Sequence, residues 1–291
     1  MKQQRRDFLK WTGSLAMGAA LAPLAGKWIM DDETAGRIKS FGLQLWTVRD
    51  EMAKDPKDVL KQIASFGYKH VESFEGAKGM FWGMKNTEFK KYISDLGLNI
   101  YSSHFGGADN FEKKVADAAE IGMKYLTMAW EGPGKTIDDY KKYAEEFNKK
   151  GELCKKNGLR FAFHNHDFTF RPMEGQFAQD TLIKGTDSTL VDFEMDIYWV
   201  VAAGQDPEAW FKKYPGRFRL CHVKDMNKTP GTDNGKNSVD IGTGSIDFKK
   251  VLKTAKENGM QYFIVEQEFF EGTTPLKAVD ADAAFMKKLK I

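Results

Sequence analysis

The chain has 291 residues, 42% of them hydrophobic and 13% aromatic, so it can bury the core of one large α/β domain or two small ones. Low-complexity segments are absent from the sequence, which argues against disorder. The 44 basic and 41 acidic side chains give a formal net charge of +3. Such a small excess argues against a nucleic-acid partner, whose phosphates require a basic face.

Residues 1–26 have the pattern of a twin-arginine-like signal peptide. A charged head that contains Arg5 and Arg6 precedes an apolar stretch over 11–24, which is shorter than the ~20 residues that a membrane-spanning helix needs. We therefore expect an exported, periplasmic protein with no stable membrane anchor after signal removal. Without the first 25 residues, basic and acidic side chains balance at 40 each. The alternative is an amphipathic or membrane-anchoring N-terminus.

From residue 41 onward, strand-like segments alternate with helical ones, and eight strands in ~250 residues favour a closed, single-domain (β/α)₈ TIM barrel over 38–291. An open nucleotide-binding sheet is the weaker choice, because no Gly-rich phosphate fingerprint follows the first strand. The predicted strands cover 41–46, 70–74, 98–105, 124–130, 159–165, 188–196, 216–223 and 261–266. The predicted helices cover 55–66, 87–96, 111–122, 137–157, 197–213, 246–258 and 276–289.

The ends of strands five to eight carry His164, Asp196, His222 and Glu266 in turn. Because a barrel places its active site at the C-terminal ends of its strands, these four side chains should converge on one side of the mouth. Two imidazoles and two carboxylates suit Mn, Zn, Fe or Co rather than Ca²⁺. The sequence therefore predicts one divalent metal ion bound by these residues, although any one of them alone could be a hydrogen-bonded rim group.

Further candidates lie close to the same strand ends. Besides Glu266, the predicted catalytic residues are His166, Lys224 and Glu131. The predicted substrate-binding residues are His104, Trp46, Trp130, Trp199, Asp225 and Glu268, with the aromatic rings suited to stacking on sugar faces. The alternatives are a loop histidine at His166, a solvated pair at Lys224 and Asp225, and plain core or rim packing for the aromatics.

The segments FGLQLWTVRD, HNHDF, DIYWVVAAGQDP, CHVKDM and VEQE, which begin at residues 41, 164, 196, 221 and 265, together resemble the xylose isomerase-like TIM-barrel superfamily, also called sugar phosphate isomerases/epimerases. In many members the metal ligands on strands five to eight are Glu, Asp, His and Glu. The resemblance places these ligands on His164, Asp196, His222 and Glu266. Two departures are His164, which stands where the epimerases have Glu, and Trp199, where many members have His.

This resemblance implies a metal-dependent sugar isomerase or epimerase that removes a proton beside a metal-polarised carbonyl. The loss of one catalytic Glu at His164 also suggests the alternative of a lyase or dehydratase, like the inosose dehydratase and keto-glycoside branch, with His166, Glu131, Glu268 or His104 as the second proton carrier. Export and the missing phosphate motif favour an unphosphorylated carbohydrate. A non-catalytic carbohydrate-binding barrel and a DNA-cleaving relative are weaker alternatives, and a homo-oligomer is one expectation for the assembly.

Overall fold

The computed structural model describes residues 36–107 and 109–291, so the predicted signal peptide lies outside the described residues. Within them, eight parallel strands close into a barrel in which each strand pairs with its neighbours in sequence order. The predicted TIM barrel is therefore confirmed. The barrel strands are β1 (Gly42–Gln44), β2 (His70–Phe74), β3 (Asn99–Gly106), β4 (Tyr125–Trp130), β5 (Arg160–His164), β6 (Val191–Asp196), β7 (Phe218–Val223) and β8 (Tyr262–Val265).

Helices connect these strands around the outside of the barrel, and none of them in the described ranges is both long and apolar enough to cross a membrane. Short hairpins, Pro172–Met173 with Gln176–Phe177 and Asp225–Met226 with Ser238–Val239, follow β5 and β7. The helices are α1 (Arg49–Lys54), α2 (Pro56–Phe66), α3 (Asn86–Asp95), α4 (Phe111–Glu120), α5 (Ile137–Lys156), α6 (Ala178–Gly185), α7 (Ile197–Ala202), α8 (Pro207–Lys213), α9 (Phe248–Glu257) and α10 (Pro275–Lys288).

One predicted helix is wrong in its extent, because the segment 197–213 forms the two helices α7 and α8. Gly204 adopts φ 72° just after α7, a left-handed conformation that glycine tolerates best. The Asp206 side chain then accepts a hydrogen bond from the backbone N–H of Glu208, and Pro207 occupies the first turn of α8. These signals stop one helix and start another. The structure also contains α1 and α6, which the sequence did not predict.

The alternation of side chains along each strand separates an apolar outer layer from a more polar barrel interior. On β7, Cys221 and Val223 belong to the main apolar core that the helices cover, whereas Leu220 packs in a small separate cluster with Tyr125, Ala162 and Ile264. His222 therefore points to the same interior as Leu220. Other fully buried interior side chains are polar, and they are Gln44, Glu72, Ser102, Thr127, Glu194 and Asp196.

Candidate active site

A pocket of about 410 Å³ opens at the C-terminal ends of the barrel strands, where TIM barrels carry their active sites. Imidazole and carboxylate side chains form its buried part, and the exposed rings of Trp46 and Trp130 form part of its rim. No Lys or Arg is among the described residues that line it. The lining residues are Trp46, Phe74, Glu75, His104, Phe105, Gly106, Ala129, Trp130, His164, His166, Trp199, Glu266 and Glu268.

The four predicted metal ligands, His164, Asp196, His222 and Glu266, lie together at the base of this pocket and are called the upper cluster here. His222 Nδ1 lies 3.1 Å from Glu266 Oε2 and 3.2 Å from His164 Nε2. Asp196 Oδ2 lies 3.6 Å from His164 Nε2 and 3.8 Å from His222 Nδ1. The sequence prediction that the ends of four consecutive strands converge is therefore met by the geometry.

The spacing of the upper cluster fits a shared divalent ion. Two ligand atoms that bind one zinc ion at ~2.1 Å in tetrahedral geometry lie about 3.4 Å apart, close to the 3.1–3.8 Å separations found here. In the described part of the chain, buried Asp196 Oδ2 and His164 Nδ1 have no hydrogen-bond partner. Asp196 Oδ1 accepts a hydrogen bond from the Trp199 backbone N–H, which leaves Oδ2 directed to the cluster. These residues would hold a Mn, Zn, Fe or Co ion.

A second group of buried ligand-type side chains, which the sequence analysis missed, lies beneath the first. The lower cluster consists of Glu72, His104, Glu194 and, again, His222. His104 Nε2 lies 2.7 Å from Glu194 Oε2, and His222 Nε2 lies 2.9 Å from Glu72 Oε2. The signal that could have found this cluster is a charged residue in the middle of a buried strand, as in HVESF and VDFEMD.

Burial and mutual charge separate the pKa values of the two lower-cluster carboxyls. Burial raises the pKa of Glu72, but the charge of His104 and the hydrogen bond from His222 outweigh it and hold this pKa at about 2. Burial and then the Glu72 charge raise the pKa of Glu194 well above its usual value. The two neighbouring carboxyls therefore differ in how readily they ionise, Glu72 more readily than Glu194.

The upper-cluster carboxyls both remain ionised. Burial opposes ionisation of Asp196 and Glu266, but the Lys224 ammonium and the neighbouring His222 outweigh it, so both pKa values lie well below the usual range. Lys224 is itself fully buried, and its Nζ lies 3.3 Å from Glu266 Oε2 and 3.6 Å from Asp196 Oδ2. Its ammonium also pairs with Glu268. Lys224 therefore neutralises charge beside the cluster without lining the pocket.

His166 and its aromatic neighbours form one wall of the pocket. The His166 ring centroid lies 4.7 Å from that of Trp130 and 5.6 Å from that of Trp199. Burial and then the nearby His164 lower the pKa of His166 to about 3, so its ring is neutral at physiological pH. Its Nδ1 accepts or donates no hydrogen bond in the described ranges. With a pKa of about 3 this imidazole is a weak base in the free pocket, so it accepts a proton only where a nearby negative charge stabilises the imidazolium.

The wall on the other side of the mouth is built from the ends of β1 and β8. Trp46, which follows β1, donates a hydrogen bond from Nε1 to Glu268 Oε1 at 3.1 Å. Trp46 is 38% exposed, and its ring packs edge-on against Phe74. This wall therefore carries a carboxylate and an indole face opposite the imidazole of His166.

Two predicted site residues lie elsewhere. Asp225, predicted as a substrate-binding residue, has a buried carboxylate that accepts hydrogen bonds from the backbone N–H groups of Met226, Gly242, Gly244 and Ile246. Asp225 thus anchors the loop after β7 and is absent from the pocket lining.

Glu131, predicted as a catalytic residue, also does not line the pocket. Its charge interacts instead with Lys150 and Glu146 of α5, on the outside of the barrel. Burial raises the pKa of this half-buried carboxyl. The structure thus places Glu131 next to Trp130 of the pocket rim but not among the lining residues, and its catalytic role stays a prediction.

A closed parallel barrel with ionisable side chains clustered in a pocket at the C-terminal ends of its strands is the arrangement of a TIM-barrel enzyme. A family model described as a xylose isomerase-like TIM barrel matches residues 60–289. The chain belongs to this family, which confirms the resemblance inferred from its motifs.

The curated relatives of this chain include inosose dehydratases. The inosose dehydratases of Clostridium perfringens and Clostridium tetani are each 30% identical to this chain, over 144 and 152 residues. These matches cover 45% and 47% of this chain and 48% and 50% of the relatives, so the chain spans about half the length of the curated relatives it matches.

Solved structures cover the barrel more fully. A crystal structure of a sugar phosphate isomerase/epimerase from Parabacteroides distasonis has a TM-score of 0.76 and 28% identity, and the match covers 88% of this chain and 95% of that one. The structure of the IolI protein with a bound zinc atom has a TM-score of 0.67 at 14% identity, over 84% of this chain and 95% of that one. The second likeness shows the shared fold alone.

Proposed function

We propose that the protein removes a proton beside the carbonyl of an unphosphorylated sugar, with a divalent ion in the upper cluster, and that this step leads to elimination. The observation that carries the proposal is the pocket itself, which has the upper cluster at its base and a neutral imidazole on one wall. A divalent ion held there would act as a Lewis acid that polarises the sugar carbonyl. The inosose dehydratase relatives support the same class of reaction.

The charge of the pocket supports an unphosphorylated substrate. Glu75, Glu266 and Glu268 line it, and no Lys or Arg is among the described lining residues. A phosphate group calls for cationic or N–H donors and would be repelled by these carboxylates. The exposed Trp46 and Trp130 rings instead offer apolar faces for a sugar ring.

The residues of the two walls can divide the proton transfers of an elimination between them. His166 accepts the proton from the carbon next to the carbonyl, and the developing negative charge in the substrate stabilises the imidazolium that forms. The C–H electron pair becomes the new C=C bond while the C–O bond one carbon farther breaks. The leaving oxygen takes a proton that the Lys224 ammonium gives up through Glu268, the pocket-lining carboxylate with which it pairs on the opposite wall.

Elimination suits this pocket better than epimerisation, because its two walls carry different groups. Symmetric proton exchange on the two faces of a sugar carbon requires two comparable bases, whereas an imidazole faces a lysine-paired carboxylate here. Isomerisation or epimerisation is the second candidate. It is supported by the 28% identity and near-complete coverage of the isomerase/epimerase structure from Parabacteroides distasonis.

An isotope experiment distinguishes the two candidates. The protein, loaded with Mn²⁺, would be incubated in deuterated water with a 3-keto-glycoside or with an inosose. Loss of the aglycone or of water, with an unsaturated ketone as the product, is the expected result. Deuterium in recovered substrate or in an isomer, without such loss, would support isomerisation, and no change with any keto sugar would contradict both.

We also propose that the protein is exported, on the evidence of the Arg5 and Arg6 motif alone. Replacing both residues with Lys is expected to keep the full-length chain in the cytoplasm, since the twin-arginine pathway reads this pair. Cell fractionation would measure the distribution. Unchanged periplasmic delivery of the double variant would contradict the proposal.

A further inference from the structure

His222 belongs to both clusters, and its two ring nitrogens face opposite ways. Nδ1 faces His164 and Glu266 of the upper cluster at 3.2 and 3.1 Å. Nε2 faces Glu72 of the lower cluster at 2.9 Å. His222 is completely buried, so every contact of its ring comes from the protein. Which nitrogen is free to bind an ion therefore depends on what holds the other one.

The partner of Nε2 is itself fixed in place. Glu72 Oε2, which faces His222, also accepts a hydrogen bond of 2.8 Å from Gln44 Nε2. Gln44, Glu72 and His222 lie on β1, β2 and β7, so the chain of hydrogen bonds crosses the interior of the barrel. The second lower-cluster carboxyl lies near the same nitrogen, because Glu194 Oε2 is 3.5 Å from His222 Nε2 and hydrogen-bonds to His104.

Rotation of the His222 ring is restrained as well. The His104 ring stacks on it with centroids 5.3 Å apart and an interplanar angle of 23°. A ring flip would exchange each ring nitrogen with a ring carbon and direct a C–H group at Glu72, which would leave this buried carboxylate without its imidazole donor. The lower cluster therefore favours one ring orientation, in which Nε2 keeps its proton for Glu72 and the Nδ1 lone pair is the one available to an ion in the upper cluster.

We propose that Glu72, held by Gln44, is a positioning residue that fixes the orientation and tautomer of His222 for ion binding in the upper cluster. This inference rests on the proposed metal centre. A metal-ligating His commonly donates its second N–H to a carboxylate, which orients the ring and raises its basicity, and loss of such a partner typically weakens metal binding 10- to 100-fold. Glu72 does not line the pocket, so it acts through His222 rather than on the substrate.

A second ion in the lower cluster is the competing account, and the distances do not favour it. The separations of 2.7 Å between His104 and Glu194 and 2.9 Å between His222 and Glu72 are those of hydrogen bonds and are short for two ligands of one ion. The remaining separations, 3.4 Å from His104 Nε2 to Glu72 Oε2 and 3.5 Å from His222 Nε2 to Glu194 Oε2, fit either account. Ligand atoms around one tetrahedral zinc ion lie about 3.4 Å apart. Hydrogen bonds from imidazole N–H groups therefore account for the shortest contacts of the lower cluster. Binding of a second ion there is the alternative result that the titration below would detect.

The test is a titration of the metal-free full chain with Co²⁺, which reports stoichiometry, dissociation constant and, through its visible spectrum, ligand geometry. Glu72→Gln keeps the size of the side chain but removes its charge, and we expect Co²⁺ to bind 10- to 100-fold more weakly, with an altered spectrum. Glu194→Gln should weaken binding less, because its oxygen lies farther from His222. The control is Glu75→Gln, which alters a pocket carboxylate paired with Lys114 and should leave Co²⁺ binding unchanged.

Each outcome separates this inference from the proposed function. Unchanged Co²⁺ affinity and spectrum in a folded Glu72→Gln variant would overturn the positioning role while leaving the function intact. Two equivalents of Co²⁺ in the wild type, with one lost in Glu72→Gln, would overturn it in favour of a second ion. No Co²⁺ binding in the wild type would overturn both. Weakened binding in Glu72→Gln, in a protein that transforms no keto sugar, would support the positioning role and contradict the function.

A second variant covers the case in which Glu72→Gln does not fold, as judged by circular dichroism and thermal unfolding of the metal-free proteins. Gln44→Leu removes the donor that holds Glu72 but keeps the Glu72 charge. We expect a smaller loss of Co²⁺ affinity and a spectrum shifted in the same direction. An affinity and spectrum equal to those of the wild type would then overturn the inference.

Discussion

The upper and lower clusters contain the same kinds of side chain, two imidazoles and two carboxyls each, and they share His222. They differ in spacing and in access. The upper-cluster atoms lie 3.1–3.8 Å apart, and two of its members, His164 and Glu266, reach the pocket. In the lower cluster the closest pairs are hydrogen bonds of 2.7 and 2.9 Å, and one member, His104, reaches the pocket while Glu72 and Glu194 do not. Residue types alone therefore do not define a metal site. The distances between the ligand atoms and their access to the pocket decide whether a metal ion or a hydrogen bond links them.

The largest expected effect comes from removing a ligand that belongs to the upper cluster alone. His164→Ala and Glu266→Ala should each reduce bound metal from about one equivalent to a small fraction of one, and turnover should fall by roughly a thousandfold or more, since the ion supplies several kcal/mol of charge stabilisation. Elemental analysis and turnover would be measured together. The matched lower-cluster variant, Glu194→Gln, should retain metal. Equal losses of metal in all three variants would show that the two clusters do not differ in metal binding.

A smaller effect is expected from His166, which lies on the pocket wall and not among the proposed ligands. His166→Gln should keep the metal but lower kcat by about 10²- to 10⁴-fold, the usual contribution of a general base. KM should change little. A variant that loses its metal, or one that keeps full kcat, would show that His166 is not the base.

The aromatic rim should affect binding rather than chemistry. Trp130→Ala should raise KM roughly 3- to 10-fold, because one ring-stacking contact contributes about 0.5–1.5 kcal/mol. Stability should stay nearly constant, since the Trp130 side chain is 53% exposed. Steady-state kinetics and thermal unfolding would check both. A loss of kcat with unchanged KM would place Trp130 in the chemical step instead.

The smallest effect on turnover is expected at Asp225, the anchor of the loop after β7. Asp225→Asn replaces a carboxylate that accepts four backbone hydrogen bonds with a weaker acceptor, at a cost of roughly 1–3 kcal/mol in the free energy of unfolding. Metal content and kcat should remain close to those of the wild type. If metal were lost before stability fell, Asp225 would belong to the site after all.

The sequence predicts the upper cluster because strand ends can be read from periodicity, and a closed barrel brings consecutive strand ends together. The lower cluster was not predicted, because Glu72 and Glu194 lie within strands and not at strand ends. They meet only because alternate side chains of every strand point into the interior of the closed barrel. Asp225 shows the opposite case. A carboxylate next to a strand end looks like a site residue until the four backbone donors around it are seen.

The boundaries of the helices follow the same logic. Gly204 and Pro207 were visible in the sequence as a stop and a start signal. The apolar pattern across them nevertheless suggested one long helix, and tertiary packing resolved it into α7 and α8. Local sequence signals thus predict the fold class and the end of the barrel that carries the site. Contacts between strands that are distant in sequence determine the role of each side chain.

The most direct test of the account is an anomalous difference map from crystals of the zinc-loaded protein, measured on both sides of the zinc absorption edge. The account predicts one peak, within bonding distance of His164, Asp196, His222 Nδ1 and Glu266, with Glu72 still hydrogen-bonded to His222 Nε2. A peak enclosed by Glu72, His104 and Glu194, or no peak at either cluster, would contradict it.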